Sequence, residues 1–105
     1  MTAFAEKVYK VVAAIPEGKV STYKEVAKAI SCRSFRAVGQ ALKRNPNPVI
    51  MPCHRVVRSD GGIGGYSGSD SKQVQKKIRL LESEGIEIKN GGIELGRFLH
   101  RFGRD

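Results

Sequence analysis

Eight consecutive residues, Met51-Pro52-Cys53-His54-Arg55-Val56-Val57-Arg58, constrain this chain more than any other stretch. A cysteine, a histidine and an arginine interrupt an apolar run that opens with Val49 and Ile50 and resumes at Val56. Pro52 lacks a backbone donor and fixes its own φ, which puts the thiol at a turn or in the first turn of a short helix. Met51, standing before a proline, is held towards extended geometry. The stretch therefore reads as a buried strand that breaks to present one thiol beside an imidazole and two guanidiniums. A lone cysteine in an apolar run is most often a small buried hydrophobe. Positive neighbours and a helix N-terminus instead favour thiolate, the nucleophilic form. Eight residues alone leave both readings open.

Charge narrows the choice of partner. The chain has 105 residues and a formal net charge of +9. From Lys19 to Arg55 there are eight bases (Lys19, Lys24, Lys28, Arg33, Arg36, Lys43, Arg44, Arg55) against one acid, Glu25, while the rest of the chain is nearly balanced. An excess gathered into one third of the sequence points to a polyanion rather than to a merely solvated face. Two cysteines, Cys32 and Cys53, are too few for a disulfide framework or a tetrahedral zinc site, and a reactive free thiol suits a reducing cytoplasm. No apolar run approaches the ~18 residues of a membrane span, and the N-terminus lacks a signal peptide's apolar core. The length implies one domain over residues 1–105.

Periodicity then places the elements. Thr2 caps a first helix over about residues 3–15, with Phe4, Val8, Val11, Val12 and Ile15 as its core stripe. Pro16-Glu17-Gly18 stops it. Thr22-Tyr23-Lys24-Glu25 is a capping box opening a second helix with Val26, Ala27 and Ile30 inward. After a short turn, Ser34 caps a third helix to about Arg44, in which Phe35, Val38, Ala41 and Leu42 share a face. Small Ala37 and Gly39 keep its other side low enough to approach a rigid surface. Two short helices around a tight turn, with bases on the second, read as a helix-turn-helix.

Ser59–Gly68 holds five glycines beside the reactive stretch, a loop of functional rather than structural composition. No Gly-Lys-Ser/Thr follows, so it is not a phosphate loop. A fourth helix runs from about Ser71 to Ser83, with Val74, Ile78 and Leu81 as core and Lys72, Lys76, Lys77 and Arg79 elsewhere around it. Ile86-Glu87-Ile88-Lys89 and Ile93-Glu94-Leu95 flank Asn90-Gly91-Gly92, a hairpin signal. Phe98, Leu99 and Phe102 suggest a last helical turn. The fold expected is mostly α, a winged-helix-like helix-turn-helix domain with a short β-hairpin.

The stretch Asn45-Pro46-Asn47-Pro48-Val49-Ile50-Met51-Pro52-Cys53-His54-Arg55-Val56-Val57 closely resembles the active-site signature of the O6-alkylguanine-DNA alkyltransferases, "N-P-x-P … P-C-H-R-V". Further matches are Arg36-Ala37-Val38-Gly39 ("R-A-V-G"), Tyr66-Ser67-Gly68 within "G-Y-S-G" and Leu80 to Gly85 ("L-L-x-x-E-G"). The resemblance runs from about Phe4 to Gly85, the family's DNA-binding, alkyl-accepting domain; the family's separate N-terminal domain is not expected here. It implies direct reversal of DNA damage, without a cofactor, by a monomer that acts once. The partner implied is double-stranded DNA containing O6-alkylguanine.

Residue by residue, the resemblance makes Cys53 the alkyl acceptor, with His54, a water and Glu84 relaying its proton. Asn45 braces the turn that holds the cysteine. Tyr23 crowds the target phosphate and donates to guanine N3, and Lys77 helps polarise the site. Arg36 is the finger that fills the stack vacated by an extruded base, carried with Ala37 and Gly39 on a helix laid in the minor groove. Lys43 and Arg44 are among the bases that meet phosphates. Tyr66, Ser67 and Gly68 form the lid: the Ser67 N–H aims at O6, and the carbonyls of Cys53 and Val56 accept from the guanine amino group.

The chain departs from the family pattern in three places. Bulky Phe35 precedes the finger, where small residues are common. The turn before Ser34 is about a residue short, and the segment between Gly68 and Lys77 is several residues longer. Two rivals remain: a non-catalytic alkyltransferase-like lesion sensor, against which Cys53 speaks, and a winged-helix regulator, which leaves Pro52-Cys53-His54-Arg55 without a purpose. Cys32 reads as structural.

Overall fold

A computed structural model of the chain describes residues 3–44, 52–63 and 71–102. The first helix, α1 (Ala3–Val12), buries Val8 and Val12. It ends sooner than the periodicity predicts, because Ala14 and Ile15 donate three residues back, to Val11 (3.1 Å) and Val12 (3.0 Å), tightening the last turn before Pro16. Ile15 is buried nonetheless. The expected Thr2 cap lies outside the described residues.

Both predicted caps of the helix pair form. Thr22 Oγ1 accepts from the Glu25 N–H at 3.1 Å and opens α2 (Tyr23–Ala29). Ser34 Oγ accepts from the Ala37 N–H at 3.2 Å and opens α3 (Phe35–Lys43). Between them Ser31 takes a left-handed conformation (φ +57°), which turns the chain tightly enough to give the helix-turn-helix. Val38, Ala41 and Leu42 of α3 are buried, but Phe35 is not. At the first position of the helix its side chain lies beyond the edge of the core, a correction to the face expected from spacing.

A sheet that no local pattern announced organises the rest. Strand β1 (Ser21–Thr22) runs parallel to β2 (Val56–Val57), with Ser21 opposite Val56 and Thr22 opposite Val57. Alternate side chains of β2 point to opposite faces. Val56 packs with α1, α2 and α3 residues such as Val12, Val26 and Val38. Val57 joins a second cluster of Val20, Ile63, Leu81, Ile86, Ile93 and Phe98. The reactive stretch thus passes between two cores.

Helix α4 spans Ser71–Ser83, as predicted, and Gly85 (φ +89°) takes the left-handed position just past its end. Its core stripe needs one correction: Lys77 is fully buried. The Asn90-Gly91 turn has both φ values positive (+52° and +74°), with Lys89 and Gly92 exchanging hydrogen bonds of 2.9 Å. The hairpin stops at that bridge. Gly92 also pairs with Gly62, and the Ile93 N–H donates to the Gly61 carbonyl at 2.8 Å. A Cβ on Gly61 would stand 2.6 Å from the Ile93 carbonyl oxygen, so only glycine permits this approach. The chain then enters α5 (Leu95–Phe98), and Leu99 bridges to Val20 beside β1.

Candidate active site and nucleic-acid interface

Pro52 starts a single 3₁₀ turn, Cys53–Arg55, closed by the Arg55 N–H on the Pro52 carbonyl at 3.0 Å. This agrees with the turn expected from the proline. Cys53 and His54 are both buried, with His54 wholly so. The turn feeds β2, whose pairing with β1 fixes its height above Tyr23, the first residue of α2.

Glu84 organises one side of the site. His54 Nε2 lies 2.9 Å from Glu84 Oε2. Arg55 donates to the same carboxylate as a fork, Nε to Oε1 at 2.9 Å and Nη2 to Oε2 at 2.8 Å, while its Nη1 donates to the Ile15 carbonyl at 2.8 Å. Burial alone would raise the Glu84 carboxyl; the hydrogen bonds from Arg55 and His54, and their charges, outweigh it and hold the group below its ordinary value. Burial pulls His54 down, and the charges of Arg55 and Lys77 add to this, against the opposing hydrogen bond and charge of Glu84. An ionised carboxylate only accepts, so the neutral imidazole carries its proton on Nε2. His54 Nδ1 is then the acceptor, and it is buried with no hydrogen-bond partner among the described residues.

Lys77 and Tyr23 occupy the other side. Lys77 Nζ donates to the Val56 carbonyl at 2.6 Å and lies 5.8 Å from the centroid of the Tyr23 ring. Burial lowers Lys77 to about 7, with a negative Cys53 opposing the fall. Burial pushes the Tyr23 hydroxyl up to about 12, and negative charge on Cys53 pushes the same way. A thiolate at Cys53 is therefore felt at both groups. A carbonyl has two acceptor directions, so Val56 can hold Lys77 and still take a second donor.

The fold gathers Cys53, His54, Glu84, Lys77, Tyr23 and Val56 from five places in the sequence. Arg36, Lys43 and Arg44 are exposed on or just beyond α3, with Ala37 and Gly39 half-buried. A Cβ on Gly39 would meet Tyr23 Cε1 at 4.0 Å, so this point of α3 lies against the Tyr23 ring. Asn45, Tyr66, Ser67 and Gly68 lie outside the described residues. Arg58, expected near the thiol, instead pairs with Asp60 at 2.9 Å on the exposed surface. The sequence marks Arg55 only as a positive neighbour of the thiol. Its actual partner, Glu84, is 29 residues away, a separation no local pattern reveals. Among the described residues no group of three or more His, Cys, Asp or Glu side chains could hold a metal ion.

Comparison with known proteins gives this arrangement a family. Residues 3–86 match the family described as "6-O-methylguanine DNA methyltransferase, DNA binding domain". The chain belongs to that family. A methylated-DNA–protein-cysteine methyltransferase of Methanothermobacter thermautotrophicus is 48% identical over 88 residues, covering 84% of this chain and 47% of that protein. S. pombe Atl1, solved with damaged DNA containing O6-carboxymethylguanine, superposes with a TM-score of 0.84 at 36% identity, covering 96% of this chain and 97% of that one. Mycobacterium tuberculosis OGT in complex with DNA gives 0.74 at 37% identity, over 81% of this chain and 50% of that one. The architecture is thus the alkyltransferase helix-turn-helix domain, and the chain spans about half the length of the curated relatives it matches. Among the described residues no helix is long and apolar enough to cross a membrane.

Proposed function

We propose that this chain, acting as a single domain and a monomer in the reducing cytoplasm, repairs double-stranded DNA by moving an alkyl group from guanine O6 to Cys53. The observation that carries this reading is the double engagement of Glu84. Arg55 keeps the carboxylate ionised, the carboxylate fixes the His54 proton on Nε2, and Nδ1 is left as a buried acceptor one residue from the thiol. Through a bridging water, Nδ1 takes the proton of Cys53. The thiolate displaces guanine at the alkyl carbon; a C–S bond forms, the C–O bond breaks, and the electron pair leaves on guanine.

Tyr23 then donates to guanine N3, which its high pKa permits at neutral pH, and Lys77 stabilises negative charge beside Val56. Ser67 at O6, with Tyr66 and Gly68 as lid, and Asn45 as brace complete the assignment. The thioether is stable, so each molecule turns over once. The exposed Arg36, Lys43 and Arg44 supply contacts to DNA, with Arg36 filling the gap left by the extruded base.

Mass spectrometry after incubation with an O6-methylguanine duplex tests this directly. One methyl is expected on the peptide holding Cys53, and none in Cys53→Ala. Atl1 matches this chain over almost its whole length, which favours a second reading as a lesion sensor. Tight lesion binding with no gain in mass would select it.

Gly39 gives a separate test of the DNA-facing surface. An added methyl would meet Tyr23 only at ordinary contact distance, and alanine is the better helix former. Gly39→Ala is therefore expected to raise stability by about 0.5–1 kcal/mol yet weaken lesion-duplex binding several-fold. Undiminished binding in a titration would remove Gly39 from the interface.

A further inference from the structure

Phe35 is the one large hydrophobic residue exposed among the described residues, with 54% of its surface open to solvent. It is not a loose end of chain. The Ser34 cap fixes the start of α3, the Ser31 turn fixes the approach to it, and Val38 anchors the next turn in the core. The ring therefore projects from a rigid root. Its surroundings are cationic: exposed Arg33 and Arg36 flank it, and the first turn of α3 carries no acid. Bases at a helix N-terminus work against the helix dipole, so this end of α3 is arranged for an external anion rather than for its own stability. An aromatic ring fixed among cations, on the helix assigned to DNA, has the character of an apolar wedge that minor-groove proteins set against a base step.

We propose that Phe35 is a second wedge, which stacks on the DNA base step next to the one that Arg36 enters, and so contributes to opening the duplex. This rests on the DNA-repair reading above. A stacked ring gains affinity through base contact rather than counterion release, so its effect separates from that of the arginines in salt dependence.

The experiment compares wild type, Phe35→Ala, Phe35→Trp and Arg36→Ala on a duplex carrying O6-methylguanine with 2-aminopurine beside it, titrated at several salt concentrations. Phe35→Ala is expected to bind about tenfold more weakly with an unchanged salt slope and a smaller 2-aminopurine signal. Phe35→Trp is expected to keep both. Arg36→Ala lowers the slope by about one. Affinity and fluorescence of Phe35→Ala equal to wild type would overturn the wedge. So would a loss that tracks salt, or a change in the DNA-free oligomeric state, which would make Phe35 a contact between copies. If wild type itself neither binds the lesion nor gains a methyl, the repair reading fails, whatever the Phe35 variants do.

Discussion

Glu84→Gln is expected to cost this domain about 3 kcal/mol of stability and to slow methyl acceptance by Cys53 by about 10²–10⁴. The two losses have one origin. Glu84 is 12% exposed and Arg55 15%, so the fork between them is close to a buried pair. An amide offers one acceptor where the carboxylate offers two. It cannot satisfy both Arg55 nitrogens and His54 Nε2, and it leaves a nearly buried guanidinium without its counter-charge. Domains of this kind are stable by only about 5–15 kcal/mol, so urea denaturation resolves the change easily. The rate falls because His54 loses the acceptor that keeps its proton on Nε2, and a flipped tautomer has no lone pair facing the thiol.

Acid provides an independent check. The Glu84 carboxyl is lowered in the folded state, so its stabilisation is complete above the ordinary carboxylate pKa and is lost as pH falls through the folded value. His54, lowered from its ordinary 6.5, adds to the weakness: below that pH the unfolded state takes the proton more readily. Wild type should therefore lose its advantage over Glu84→Gln on acidification. A second substitution separates structure from chemistry. Adding Arg55→Met to Glu84→Gln removes the stranded charge, so stability should largely return while methyl transfer stays slow. Recovery of both would show that Glu84 acts through folding alone.

The site was legible where its chemistry is written locally. Pro52 announced the turn under Cys53, and the Thr22 and Ser34 caps were visible because capping is a relation between residues three apart. Relations across the chain were not. The parallel pairing of Ser21 with Val56 joins two-residue strands with no periodicity to detect. Asn90-Gly91 specified its turn, but Gly61 took the backbone partner that the hairpin needed, and glycine's freedom to come so close is invisible in a pattern of side chains. The inward placement of Arg55 and Lys77 was hidden for a different reason. Charged residues are assigned to the surface by default, and only the fold shows a carboxylate or a carbonyl waiting inside for them.

Lys77→Met is expected to make the domain more stable and less able to accept a methyl group. In the fold Lys77 titrates near 7, against an ordinary 10.5. Between those values the unfolded chain binds the proton and the folded one does not, so stability rises with pH across that window. Below about 7 the lysine is protonated in both states and the full cost of burying an ammonium is present, on the order of 5 kcal/mol. Methionine has similar length and no charge to bury, though it forfeits the hydrogen bond to the Val56 carbonyl, about 1–2 kcal/mol. The variant should thus gain about 3 kcal/mol at pH 6, and the gain should shrink with rising pH and turn into a small loss as pH approaches 10.5, where only the forfeited hydrogen bond is left. Methyl acceptance should fall about 10²–10³-fold, because the cation that faces charge at Cys53 is gone. The decline of wild-type activity above pH 7, where Lys77 loses its proton, should be missing from the variant's profile. Equilibrium unfolding from pH 6 to 10.5, paired with single-turnover rates, tests both halves. A variant less stable than wild type at pH 6, with the same slope of stability against pH, would mean that Lys77 is not a buried cation held at a cost for the sake of its site.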